Sequence, residues 1–283
     1  MAAISGLGSG IAWTGYTGLY ASTGYLAPHS FTLNIDGGTF PTTASNTSGV
    51  IVATNGALPY SWGGTISFYG MNPPQSGYSG SVSWGAGNYS TNVREWSIDI
   101  SWTEKKVTAF GSPVLAHSYI PTLASWRGTF AGYVDGTAAL APPTLPNGTI
   151  QTLTLMLFDE ATNDDKLTGT AIVRQLGAAI GVATGGDFSY SFEGTGQLTS
   201  NPLATYWGVA SSGIFHDTTG ALVTPTAGQI TLTAASGRTY GGASGGLAFP
   251  TRLSMNCTVD AGISGTIDFR GTGALAIDGT AIS

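Results

Sequence analysis

The stretch FEGTGQL at Phe192–Leu198 has a twin, FRGTGAL at Phe269–Leu275, 77 residues further on. The likeness extends outward from it. Aligned without a gap, 153–198 and 230–275 share 13 of 46 positions, where so biased a composition would give roughly four. They include Leu155/Leu232, Gly169/Gly246, Ala171/Ala248, Leu176/Leu253 and Gly185/Gly262. A weaker repeat lies upstream. SFTLNIDGGTFPTT at 30–43 resembles EWSIDISWTEKKVT at 95–108, and each precedes a tryptophan stretch, SWGGTISFYG from Ser61 and SWRGTFAGYV from Ser125. The chain therefore reads as two front halves followed by two back halves. The contiguous pair predicts one unit over 93–200. The chain ends, 29–70 plus 228–283, predict a second, with 1–28 as an N-terminal arm and 71–92 and 201–227 as connectors. This nested pairing needs no threading. The swapped pairing, first front half with first back half, stays open.

Period-two patterning sets the fold class. In WSIDISW, Trp96, Ile98, Ile100 and Trp102 alternate with Ser97, Asp99 and Ser101, the signature of a half-buried strand. FTLNID, TLTLMLF and SYSF read likewise, and Gly, Asn, Asp and Pro clusters punctuate them. The prediction is an all-β fold, mainly strands with one or two short helices, arranged as two tandem or nested β-sandwich units. The best helix candidate is HSYIPTLASW at 117–126, where Pro121 suits a first helical turn.

Composition narrows the function. Charged residues are 8% of the chain, against roughly 25% in an ordinary soluble domain. So little charge points to a surface covered by neighbouring subunits. The net charge of −6 argues against a nucleic-acid reader, which shows a basic stripe. The first residues lack the basic region and apolar run of a signal peptide. No run of about 18 apolar residues predicts a membrane helix. The one cysteine, Cys257, allows no internal disulfide and reads as a small buried apolar residue.

Catalytic, metal and cofactor signatures are poor, and none is predicted. His29, His117 and His216 each stand apart from a second ligand at metal spacing. GASGG at 242–246 matches the nucleophile-elbow pattern, but the following Leu247-Ala248-Phe249-Pro250 is no helix start. The acids Asp159, Glu160, Asp164 and Asp165 lack calcium-loop spacing and read as a solvated hairpin loop. The GTG runs lead into strand-like leucine rather than a helix, so their glycines read as close backbone packing and not as a phosphate cradle. The signature residues taken as structural are Phe192, Gly194, Gly196, Phe269, Gly271, Gly273, Trp62, Trp96 and Trp126. Seven tryptophans also raise a carbohydrate-binding sandwich, although four of them fall inside repeated strands.

The same residues resemble a known family. MAAISG at the start, REWSIDISWTEKKVTAFGS with IPTLASWRGTFAGYVD, and LTGTAIVRQLGAAIGVATGGDFSYSFEGTGQLT are similar to phage tail tube (major tail) proteins, here internally duplicated. The resemblance covers about 93–200, with a fainter copy in 29–70 plus 228–283. It implies a structural virion protein of the phage tail, not an enzyme. Its β-sandwich subunits would contribute to a closed β-barrel tube of stacked rings that conducts DNA during ejection. If family rings hold six single units, three copies of this double chain close a trimeric, pseudo-sixfold ring. The implied partners are the protein itself, tape measure, tail terminator and distal tail proteins, and DNA passing non-specifically, with no membrane. Assembly would take place in the host cytoplasm. Asp99 and Glu193 are the candidate lumen-facing acids, since they sit on strand faces opposite apolar residues. The alternatives are a tube, surface-layer or capsid-decoration protein of another assembly, or a carbohydrate-binding β-sandwich module.

Overall fold

The computed structural model describes residues 2–13, 27–36, 61–69, 82–85, 87–88, 93–107, 116–134, 150–156, 166–181, 185–201, 225, 227–234, 237–258 and 262–281. Among them the fold is all-β, with no helix. The first half of the chain gives β1 (Ala2–Trp13), β2 (Ala27–Asp36), β3 (Ser61–Tyr69), β4 (Val82–Trp84), β5 (Gly87–Asn88), β6 (Val93–Lys106) and β7 (Tyr119–Val134). The second gives β8 (Gln151–Met156), β9 (Lys166–Gly181), β10 (Gly185–Asn201) and β11 (Gly228–Ala234). It ends with β12 (Thr239–Gly241), β13 (Gly246–Thr258), β14 (Gly262–Ile277) and β15 (Thr280–Ala281).

Eight long strands pair in the order β2-β3-β14-β13-β6-β7-β10-β9, each antiparallel to the next. The order repeats a four-strand pattern. β7 pairs with β10 through Gly128↔Phe192 and Phe130↔Tyr190. β3 pairs with β14 through Gly64↔Phe269 and Ile66↔Ile267, the same register after offsets of 64 and 77 residues. The bulges repeat as well. On β9 the pairing steps from Val173↔Phe192 to Gln175↔Ser191, and on β13 from Pro250↔Phe269 to Arg252↔Asp268. Such a bulge leaves one residue unpaired. It also lets Pro250, which has no N–H to donate, sit inside a strand.

Each group carries a second layer. β8 pairs with the start of β9, and β4 and β5 extend it, so part of the connector expected over 71–92 is strand. In the other group β11 pairs with the start of β13 and with β12, and β12 reaches β14. β1 then joins the two layers. Its first half pairs with β2 and its second half with β11, with an irregularity between Gly8 and Gly10. The circuit β1-β2-β3-β14-β12-β11-β1 is a closed barrel.

The core follows the alternation. Phe31, Leu33 and Ile35 on β2, like Trp96, Ile98 and Ile100 on β6, are 2% exposed or less. Rings interlock beneath the sheet, with Phe130 stacked on Tyr190 at 5.0 Å and Trp126 against Phe192 at 6.0 Å. Cys257 is buried and forms no disulfide.

The helix expected at 117–126 is not formed, because β7 begins at Tyr119. Pro121 stands opposite Glu104, next to the irregularity between Trp102 and Glu104 on β6. A proline is tolerated in a strand at such a place, and the long ladder to β6 outweighs its local preference for a helical turn.

Candidate assembly interface and hydrophilic face

Two tryptophans explain the glycines of the repeated signature. Trp126 lies flat against Gly194, where an added Cβ would fall 2.0 Å from Cε2 of the ring. Its Nε1–H donates to the Gly196 carbonyl at 2.9 Å. In the other group Trp62 lies against Gly271 with the same 2.0 Å approach. It donates to the Gly273 carbonyl, again at 2.9 Å. One glycine makes room for the ring and the next supplies its acceptor. Gly128 and Gly64 complete the brace, since a Cβ there would meet the rings of Phe192 and Phe269 at 2.5 and 2.8 Å. The S-W-x-G run shared by 125–128 and 61–64 is the sequence signal for these two.

The groups meet edge to edge where β13 pairs with β6, Arg252↔Ser101 through Thr258↔Glu95. Apolar residues oppose apolar ones along this joint, as in Leu253↔Ile100, Met255↔Ile98 and Cys257↔Trp96. Charged clamps cross it. Arg252 donates to Asp99 through Nε at 2.7 Å and through Nη2 at 3.0 Å. Arg270 donates to Glu104 at 2.8 and 3.0 Å and covers the Tyr119 ring at 4.9 Å. Hydrogen bonds to these carboxylates raise both guanidinium pKa values. Thr272, between the two signature glycines, accepts from the Tyr119 N–H at 3.1 Å, and the Gly273 N–H donates to the His117 carbonyl at 3.1 Å. The sequence carried no signal for these arginine clamps.

One face of the eight-strand sheet is hydrophilic. Ser97 contacts Thr129, Ser101 contacts Ser125, and Thr65 donates to Asp268 at 2.6 Å. Asp99, Arg127 and Glu193 stand in one cross-strand row. Both candidate acids are thus on this face, and both are paired. Asp99 is 19% exposed between Arg252 and Arg127. Glu193 is 53% exposed and bridges Arg174 at 2.7 Å, the residue thrown out by the β9 bulge. Local charge is balanced at these positions, so neither acts as a bare negative site.

Among the described residues no three His, Cys, Asp or Glu side chains come together as a metal site. His117 takes a contact from Lys106 Nζ at 2.9 Å and packs edge-on to Tyr119. Burial first and the Lys106 charge second lower its pKa. The GASGG run is a turn from β12 into β13, a strand. Of the tryptophans, Trp62, Trp84, Trp96, Trp102 and Trp126 are buried, at 4% exposure or less. The acidic cluster at 159–165, His216 and Trp207 lie outside the described residues, as do the side chains of His29 and Trp13. No described helix is long and apolar enough to cross a membrane.

No protein-family model matches the chain. No curated protein matches it either. Among solved structures, a chain from the "tail of empty GTA particle computed with helical refinement, C6 symmetry" is similar over 45% of this chain and 98% of its own. The identity is 14% and the TM-score 0.36.

Proposed function

We propose that the protein is a structural subunit of a phage-type tail, a tube protein whose rings stack around a lumen that DNA traverses during ejection. The observation that carries this reading is the edge-to-edge joint between two strand groups of matching register. A chain built this way is an arc of a ring, because the joint that links its two groups also suits the next copy. We take the groups as the units 93–200 and 29–70 plus 228–283, and the ring as three chains in pseudo-sixfold arrangement.

Geometry bears on the number. With strands about 4.8 Å apart and tilted about 40°, three chains of eight strands close at a backbone diameter of roughly 50 Å. Side chains reduce that to a lumen of roughly 40 Å, still wider than a DNA duplex. Six whole chains would double it. The hydrophilic face, whose Arg127, Arg174, Arg252 and Arg270 are each paired with a carboxylate, lines this lumen and lets phosphate pass without strong adhesion. Tape measure, terminator and distal tail proteins are the partners at the tube ends. The five tryptophans whose side chains are described are all buried, so none of these five offers a ring platform to a glycan. Purified protein viewed in negative stain should show rings or tubes. A monomer that stays dispersed at high concentration and binds glycans would refute the reading.

A further inference from the structure

The two strand groups differ in what covers their leading edge. In one group the free edge of β6 is taken by β13. In the other the equivalent edge, that of β2, is taken by β1, through Ala2↔Ile35 to Leu7↔Ser30. At the far end of the sheet β9 offers the counterpart of β13. β8 pairs with it only as far as Ala171, and among the described residues no strand covers its outer edge from 172 to 181. On β13 the same division is filled, with β11 at Leu247–Ala248 and β6 at Arg252–Thr258.

From this we infer that β9 of one copy pairs with β2 of the next, and that the first half of β1 is a self-cap occupying that slot until assembly displaces it. The inference rests on the ring reading above and specifies its joint. Carrying the internal register over by the offsets of 77 and 65 residues sets Gln175–Gly181 against Asp36–Ser30. The pattern survives the transfer. Leu176, Ala178 and Ile180 fall opposite Ile35, Leu33 and Phe31, as Leu253, Met255 and Cys257 fall opposite Ile100, Ile98 and Trp96. A shift of one residue would set Leu176, Ala178 and Ile180 against the polar residues among Ser30, Thr32, Asn34 and Asp36. At the positions of the Arg252–Asp99 clamp stand Gln175 and Asn34, an amide pair with matching donors and acceptors.

The cap is the weaker occupant. Against Ile35, Leu33 and Phe31 it sets Ala2, Ile4 and Gly6, less apolar surface than Leu176, Ala178 and Ile180 supply. Yet it closes the barrel and covers an edge that would otherwise recruit strands indiscriminately. Because the second half of β1 pairs with β11 instead, the cap can leave while its tether remains.

Two pairs of introduced cysteines distinguish the states in the full chain, whose native thiol is buried. Directly opposed antiparallel residues have Cα atoms about 4.5–5.5 Å apart, within disulfide range. Ser5→Cys with Thr32→Cys should oxidise within one chain and lower ring formation at least about tenfold, with reductant restoring it. Ala179→Cys with Thr32→Cys should give covalent closed trimers on oxidation of assembled rings, and no cross-link before assembly. Deleting 2–7 should lower the concentration needed for rings by about tenfold. Rings that form equally well with the first pair oxidised would overturn the inference, as would rings in which the second pair never cross-links. The ring reading would survive either result. Failure of the unmodified chain to form rings would instead overturn both.

Discussion

Replacing Gly194 with alanine tests the brace beneath each signature strand. The new Cβ would lie 2.0, 2.3 and 2.4 Å from Cε2, Nε1 and Cδ2 of Trp126, where ordinary carbon contacts need about 3.5 Å. The indole has little room to retreat, because a Cβ at Gly169 would already fall 2.6 Å from its Cζ2. Moving it also breaks the bond from Nε1 to Gly196. Overpacking costs about 1–3 kcal/mol, and a buried donor left unpaired about 1–3 kcal/mol more. A total near 3–4 kcal/mol is expected, read from urea unfolding followed by far-ultraviolet circular dichroism. In a Trp126→Leu background the clash is gone, and Gly194→Ala should cost less than about 0.5 kcal/mol. Gly271→Ala, under Trp62, should match Gly194→Ala to within about 1 kcal/mol. Equal costs for Gly194→Ala with and without the indole would refute the steric account.

Two further outcomes follow from the same contacts. Converting the internal clamp to the amide pair of the proposed external joint, Asp99→Asn with Arg252→Gln, should cost less than about 1 kcal/mol, since Arg252 is half-exposed and solvent screens the pair; a loss above about 3 kcal/mol in urea unfolding would contradict it. His117 has a lowered pKa in the folded state, so the unfolded chain takes up a proton first as pH falls below about 6.5. Stability should therefore decline from pH 7 towards the folded pKa, and His117→Gln should flatten that slope in thermal melts at about pH 7 and 5.5.

The strand alternation of 96–102 and the duplicated signature were legible because both are local, periodic properties of the chain. What the signature glycines face was not, since Trp126 and Trp62 lie 68 and 209 residues from Gly194 and Gly271. The helix expected at 117–126 went wrong for a related reason. Pro121 locally favours a first helical turn, whereas the ladder from β7 to β6 and a bulge that tolerates proline decide the outcome. β1 was the hardest to see. AAISGLGSGIAW is rich in glycine, alanine and serine, with weak strand propensity, and it is a strand because β2 and β11 each offer it an edge. The ion pairs of Asp99 and Glu193 were hidden likewise, for Arg252 and Arg174 reach them through strand register and a bulge.

The central claim is that one chain supplies two units of a ring. The most direct measurement is the mass of an isolated ring, by native mass spectrometry, together with its rotational symmetry in averaged micrographs. Three chains per ring are expected, sixfold at low resolution and threefold once the units are told apart. A ring of six whole chains would contradict it.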